Sequence, residues 1–316
     1  MLFDIFLLVT GLFVLILGGD FLVRGASRIA LRFHISPLVI GLTIVAFGTS
    51  SPELLVSLKS ALAGSPDLTM GNVVGSNIAN LALVLGIAAM IGPIRVKASI
   101  IKLDWPVAMG SSLLLYFLII DGLISWYEGL LFIILLLIYT IYIILNSRKE
   151  TKAIRAAEKG FDLPSSRQSI RKEIFFILIG SLGLYIGADW LIGGAQELAR
   201  FLRVSERVIG ITVLAIGTSL PELVTSILAA FKKETDLALG NLIGSNIFNV
   251  LSILGITSIV TEIQVNEVII GSDMLWMLGI TLVVLPMMIY KRTITRVGGI
   301  ILFVTYLYYT YSVVSQ

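Results

Sequence analysis

Glu53 and Glu222 are carboxylates set in otherwise apolar segments, and the residues around them repeat. The first ends Ala46-Phe47-Gly48-Thr49-Ser50-Ser51-Pro52-Glu53; the second ends Ala215-Ile216-Gly217-Thr218-Ser219-Leu220-Pro221-Glu222, 169 residues further on. On a helix Thr49 lies over Glu53 at i, i+4 with Ser50 beside it, so hydroxyls and carboxylate share one face. Pro52 offers no N–H to the carbonyl of Gly48 and its ring crowds that turn, so carbonyls near Ala46 and Gly48 are expected to lose helical partners and become available to a cation. Pro221 is expected to act in the same way on Gly217 and Ala215. Each copy is followed by a second motif, Gly71-Asn72-Val73-Val74-Gly75-Ser76-Asn77-Ile78-Ala79-Asn80 and Gly240-Asn241-Leu242-Ile243-Gly244-Ser245-Asn246-Ile247-Phe248-Asn249. Ser76 with Asn80, and Ser245 with Asn249, again share a face at i, i+4. Gly71 and Gly75 form a small-xxx-small pattern that admits a close backbone. Asn72, Asn77, Asn241 and Asn246 lie elsewhere on these helices and are expected to hydrogen-bond between helices.

Hydroxyls, amide oxygens, backbone carbonyls and two carboxylates make an all-oxygen donor set, which suits hard cations such as Ca²⁺ and Na⁺. Two carboxylates balance one Ca²⁺ or two Na⁺, and competition for that shared charge is a physical basis for antiport. Other chemistries lack parts. The chain has no cysteine and one histidine, His34, so thiolate sites, a zinc centre and an imidazole relay are excluded. A serine hydrolase built on Ser50 or Ser219 fails because no His or Lys is placed to activate the hydroxyl, so no enzyme activity is expected.

The elements that position these groups follow from composition. Of 316 residues 57% are hydrophobic and 14% charged, and the mean hydropathy is +0.99, which describes a polytopic membrane protein. In hydrocarbon an unsatisfied polar group costs several kcal/mol, so the repeated glutamates read as functional. Ten apolar segments are each near the length of a spanning helix: 2–24, 36–58, 68–94, 103–120, 127–145, 173–199, 205–231, 237–260, 272–290 and 298–315. The expected fold class is therefore an all-α polytopic membrane protein. The N-terminal run lacks a basic n-region and a cleavage site and is expected to be a retained helix. The polar stretch Asn146–Lys172, with eight basic residues, is expected to be a cytoplasmic linker between an N-terminal half, 1–145, and a C-terminal half, 173–316. With both termini outside, 19 of the 23 basic residues fall in cytoplasmic loops, leaving Lys59, Arg200, Arg203 and Arg207 outside. Nucleic acid is not indicated, nor is a protein partner; the expected partners are transported cations and the lipid bilayer.

At a constant offset of 169, residues 39–86 match 208–255 at 24 of 48 positions without a gap. The register extends upstream through Gly11, Gly18, Asp20 and Gly25, paired with Gly180, Gly187, Asp189 and Gly194. Each half holds an odd number of spans, so the copies enter the membrane from opposite sides. Two inverted five-helix repeats are the architecture of secondary transporters, with a site near the midplane. A passive single-chain channel would not require it.

At these motifs the chain resembles the cation/calcium antiporter family, in its sodium/calcium exchanger branch. Gly48-Thr49-Ser50 and Gly217-Thr218-Ser219, each leading to Pro-Glu, look like the two alpha-repeat signatures, and the two glycine–asparagine motifs look like their second halves. The resemblance implies that Glu53 and Glu222 bridge Ca²⁺ and that Thr49 and Thr218 add backbone oxygens. It implies that Ser50, Ser219, Ser76 and Ser245, with the carbonyls of Ala46 and Ala215, complete Na⁺ positions, and that Asn80 and Asn249 are central polar ligands. Some members carry Asp where this chain has Asn249, which leaves the stoichiometry open. Na⁺ is the expected coupling ion, because the proton-coupled branch tends to a different text before the glutamate. The alternative is an H⁺/Ca²⁺ exchanger with Glu53 and Glu222 as the protonated groups.

Asp20 and Asp189 are a further repeated pair, expected to be structural anchors near the interface. The Gly- and Ala-rich first and sixth helices suit sliding surfaces, and the resemblance makes them gating helices. His34 is expected at the surface, and Trp105, Trp126, Trp190 and Trp276 at the interfaces.

Overall fold

The computed structural model describes residues 2–33, 35–157, 170–201 and 215–315. His34, residues 202–214, which include the start of the seventh expected span, and residues 158–169 of the expected linker lie outside them. The first half runs α1 (Leu2–Phe33), α2 (Pro37–Leu62), α3 (Pro66–Ile91), α4 (Ile100–Asp121) and α5 (Trp126–Ala157). The second runs α6 (Ile170–Phe201), a helical turn Ala215–Thr218, α7 (Leu220–Phe231), α8 (Thr235–Val260), α9 (Ile269–Arg292) and α10 (Arg296–Ser315). Eight of these are long and apolar enough to cross a membrane; α7 is described only from Leu220, and α10 carries four tyrosines that suit an interface. This is an all-α polytopic membrane protein of ten transmembrane helices in two inverted five-helix repeats.

Several helices outrun the expected spans. α5 continues to Ala157 because Arg148, Lys149, Lys152 and Arg155 are good helix formers and a helix satisfies its own backbone outside hydrocarbon as well as inside. At its start Glu128 Oε2 accepts from Ser125 N at 2.8 Å and from Ser125 Oγ at 2.7 Å, one half of a capping box. Ser36 caps α2 by accepting from Val39 N at 3.3 Å, with Pro37 in the first turn where no N–H is needed.

Two short antiparallel ladders tie the halves together. β1 (Ile94–Arg95), between α3 and α4, pairs with β4 (Thr293–Ile294), between α9 and α10. β2 (Leu123–Ile124), between α4 and α5, pairs with β3 (Ile263–Gln264), between α8 and α9. Counting spans puts both loops of one ladder on one face of the membrane and both loops of the other on the opposite face, which is what inversion requires.

α3 and α8 are the most enclosed spans, and α1 and α6 are among the least. Those outer two pack antiparallel through glycines seven residues apart. A Cβ at Gly18 would lie 2.6 Å from Leu184 N, one at Gly180 2.5 Å from Leu22 N, and one at Gly187 2.5 Å from Leu15 N. Only glycine allows that approach of two backbones. α2 and α8 approach in the same manner: a Cβ at Gly240 would lie 2.5 Å from Leu38 O and one at Gly244 2.7 Å from Leu42 Cα. The segment that symmetry assigns to Gly71 and Gly75 falls in 207–211, outside the described residues.

Trp105 is more than an interfacial anchor, since its Nε1 donates to the Thr281 carbonyl of α9 at 2.9 Å. Trp126 and Trp190 are exposed, and Trp276 packs edge-on against Tyr308 and Tyr309.

Candidate functional site

The two proline motifs do not bend the chain alike. In the first copy the helix passes through Pro52 without a break, and the distortion is a π-helical turn, Gly41–Val45, immediately before Ala46. Hydroxyls of this turn lie against its carbonyls: Thr49 Oγ1 is 3.3 Å from Ala46 O, and Ser51 Oγ donates to Phe47 O at 2.6 Å. In the second copy Ser219 leaves the helix at φ −87, ψ 4, so the turn opened by Ala215 stops at Thr218 and α7 restarts with Pro221 in its first turn. A proline early in a helix costs no hydrogen bond, whereas Pro52 lies in a helix interior.

Asn80 and Asn249 each sit in a π-helical turn, Ala79–Val84 and Asn249–Leu254. Such a turn widens the helix by one residue and loosens its carbonyls, a common device at functional sites.

Glu53, Glu222, Thr49, Ser50, Ser76, Ser219, Ser245, Asn80 and Asn249 are all buried, while Thr218 is half-buried. They come from both halves. Ser50 Oγ of α2 donates to Glu222 Oε1 of α7 at 2.9 Å, and Ser245 Oγ of α8 donates to the same oxygen at 3.2 Å. Thr49 Oγ1 donates to Asn241 Oδ1 at 3.2 Å and lies 3.4 Å from Ser245 Oγ. Glu53 lies close enough to Glu222 for their charges to interact directly.

The repeat makes the two half-sites equivalent in sequence, yet their bonding differs. Ser219 and Ser76, the counterparts of Ser50 and Ser245, have hydroxyls without a partner, and so do both carboxylate oxygens of Glu53. Glu222 Oε2, Asn249 Oδ1 and both polar atoms of Asn80 are also unpartnered. A buried polar atom left unpaired is rare and calls for an explanation such as an ion. All but the Asn80 amide nitrogen are oxygens, the donor type a hard cation takes. No group of three or more His, Cys, Asp or Glu that could hold a metal ion exists among the described residues, so any ion here would rely on two carboxylates and neutral oxygens.

The other asparagines build the walls, as expected. Asn72 Nδ2 donates to Ser57 Oγ at 2.9 Å and Asn241 Nδ2 to Ser226 Oγ at 3.2 Å, the same bond in each half. Asn77 Nδ2 donates to Asn246 O at 3.2 Å and Asn246 Nδ2 to Asn77 O at 3.1 Å, a reciprocal pair across the pseudo-twofold axis. Asn77 Oδ1 also accepts from Asn249 Nδ2 at 3.0 Å, which orients that amide. Asn77→Ala therefore strands Asn249 Nδ2, while the Asn246 carbonyl keeps the Asn249 backbone N–H, and an unpaired buried group costs about 1–3 kcal/mol. A clear fall in the thermal unfolding midpoint in detergent is the expected result; an unchanged midpoint would mean that this network carries no stability.

Two kinds of residue escaped the sequence reading. Thr225, one turn beyond Glu222, is buried with its Oγ1 unpartnered; its signal was a departure from the repeat, which has Val56 at the matching place. Asp104 and Asp273, also 169 apart, accept hydrogen bonds from Tyr139 at 2.9 Å and Tyr309 at 3.2 Å. Asp20 is more than an isolated anchor: Arg24 Nε lies 2.8 Å from its Oδ2 and Lys232 Nζ 2.6 Å from its Oδ1. Asp189 is exposed and makes no ion pair among the described residues. Ala63 stands at the place equivalent to Lys232, so the pairing cannot be symmetric.

Inverted halves that enclose buried, unpaired oxygens at their interface define a secondary transporter of the inverted-repeat class. The chain belongs to the sodium/calcium exchanger protein family, whose model matches residues 3–145 and 172–314. It is 31% identical over 333 residues to the sodium/calcium exchanger MaX1 of Methanosarcina acetivorans, covering 95% of each chain. It is 36% identical over 266 residues to an uncharacterized membrane protein of Methanocaldococcus jannaschii, covering 82% of each. Among solved structures it matches the sodium-calcium exchanger NCX_Mj soaked with Na⁺ and Ca²⁺, with TM-score 0.83, 32% identity and 98% of each chain covered.

Proposed function

We propose that this protein exchanges Ca²⁺ for Na⁺ across the membrane by alternating access at the site between α2, α3, α7 and α8. The observation that carries the reading is the set of buried unpaired oxygens around Glu53 and Glu222, a site that is costly to bury unless it holds cations. In this reading Glu53 and Glu222 bridge Ca²⁺, with backbone oxygens of Thr49 and Thr218 beside them. Ser50, Ser76, Ser219 and Ser245 serve Na⁺ with the carbonyls of Ala46 and Ala215, and Asn80 and Asn249 supply central amide oxygens. Ser50 and Ser245, now bonded to Glu222, turn toward a cation when it arrives. Both ions are substrates, and the two negative charges accept either load but not both.

The halves 1–145 and 173–316 are then the two inverted repeats, joined by a cytoplasmic linker, 146–172, with both termini outside. α1 and α6, held to each other by the glycine seam, act as the gating pair against the other eight helices. A proton-coupled Ca²⁺ exchange is the second reading, favoured by one feature: a proton shared between Glu53 and Glu222 would also relieve two adjacent buried carboxylates. Proteoliposomes with separately imposed Na⁺, H⁺ and voltage gradients distinguish the two. Ca²⁺ uptake driven by an outward Na⁺ gradient at equal pH is expected, and uptake that follows only a pH gradient would overturn the Na⁺ assignment.

A further inference from the structure

Where α1 finishes and α6 starts, bases outnumber acids. Asp20 is taken by Arg24 and Lys232, and Glu173 by Arg32, whose Nη1 lies 3.5 Å from Glu173 Oε2. Arg28 of α1 and Lys172 of α6 are left without a carboxylate among the described residues. Both converge on one ring: Arg28 Cζ lies 5.5 Å and Lys172 Nζ 5.8 Å from the centroid of Phe176. Phe21 stacks on that ring at 5.4 Å and 5°. Two like charges brought to one aromatic ring gain a modest cation–π attraction each but repel one another. On the same helix Phe175 is 57% and Leu178 64% exposed.

We propose that this corner binds an anionic phospholipid, its phosphate held between the Arg28 guanidinium and the Lys172 ammonium and its acyl chains lying along Phe175 and Leu178. Basic pockets between transmembrane helices are suited to acidic headgroups. Arg28 supplies a planar donor fork and Lys172 a point charge, and a headgroup such as phosphatidylglycerol carries no cationic group to compete with them. One lipid would bridge the ends of both helices, so headgroup charge would act on the pair as a unit.

The test uses the full chain in nanodiscs of phosphatidylcholine with and without phosphatidylglycerol, reading lipids retained in native mass spectra and the thermal midpoint. Phosphatidylglycerol should be retained and should raise the midpoint of the parent, and Arg28→Gln with Lys172→Gln should weaken this about tenfold. Arg148→Gln with Lys149→Gln, which removes the same charge from exposed positions on α5, should behave as the parent. Lys172→Gln alone, in the first turn of α6, serves if the double variant does not fold. Equal losses in test and control variants would reduce the effect to bulk charge and overturn the site. So would a parent that does not distinguish the two lipids, or an equal midpoint rise from inorganic phosphate, which would show a free-anion site without acyl contacts.

Discussion

Glu53→Gln and Glu222→Gln should each abolish Ca²⁺ transport while leaving a folded protein that is no less stable, and in ion-free detergent is more stable. The two halves of this result have one cause. Both carboxylates are buried, and Glu53 accepts no hydrogen bond to either oxygen. Burying such a charge costs several kcal/mol, which neutral glutamine avoids. A dication bound between two carboxylates loses a desolvated partner in the same substitution. Removing one partner of a buried charge pair costs about 3–5 kcal/mol, or roughly a 10²–10⁴-fold loss of Ca²⁺ affinity. The variants should differ in detail, because a glutamine carbonyl at 222 still accepts from Ser50 and Ser245, whereas at 53 nothing awaits it. Flux in proteoliposomes and thermal unfolding with and without Ca²⁺ provide the two readouts. Undiminished flux in both variants would remove the site from transport altogether.

Gly18→Ala or Gly180→Ala should cost as much as a large core mutation, although each adds one carbon. The added Cβ would meet the backbone nitrogen of Leu184 at 2.6 Å or of Leu22 at 2.5 Å, and a backbone atom cannot move aside as a flexible side chain can. Overpacking of this kind costs about 1–3 kcal/mol. Because the contact is backbone to backbone, the upper end is expected, with a lowered midpoint and slowed transport. Gly193→Ala on the same helix is the control, since a Cβ there meets nothing within 4 Å. Helix propensity alone would make Gly193→Ala stabilising, so an equal loss at Gly193 and Gly180 would show that the seam does not set the cost.

Much of the site was legible before any coordinates, for a reason specific to this chain. Duplication prints each functional residue twice at one offset, and hydrocarbon makes every buried hydroxyl or carboxylate conspicuous. Glu53 with Glu222, Ser76 with Ser245 and Asn80 with Asn249 stand out on both counts. Asp104 and Asp273 met the same criteria and were passed over because neither lies in the repeated motifs. What followed less well was local backbone behaviour. The proline motif was expected to act identically in both copies, but the helix runs through Pro52 in the first, and only the second breaks, at Ser219.

The sequence by itself determined the solvent, the ten spans, the inversion and the chemical type of the site, because hydropathy, an odd number of spans and an oxygen-only donor set are properties of composition and order. Tertiary structure alone decided the register of α1 on α6, the ladders between loops of opposite halves and the unequal bonding of two half-sites written in the same residues. Those depend on which atoms meet across helices. A repeat can make two segments equivalent in type, but one hydroxyl donates to one acceptor at a time, and so Glu222 holds Ser50 and Ser245 while Glu53 is left with neither of their counterparts.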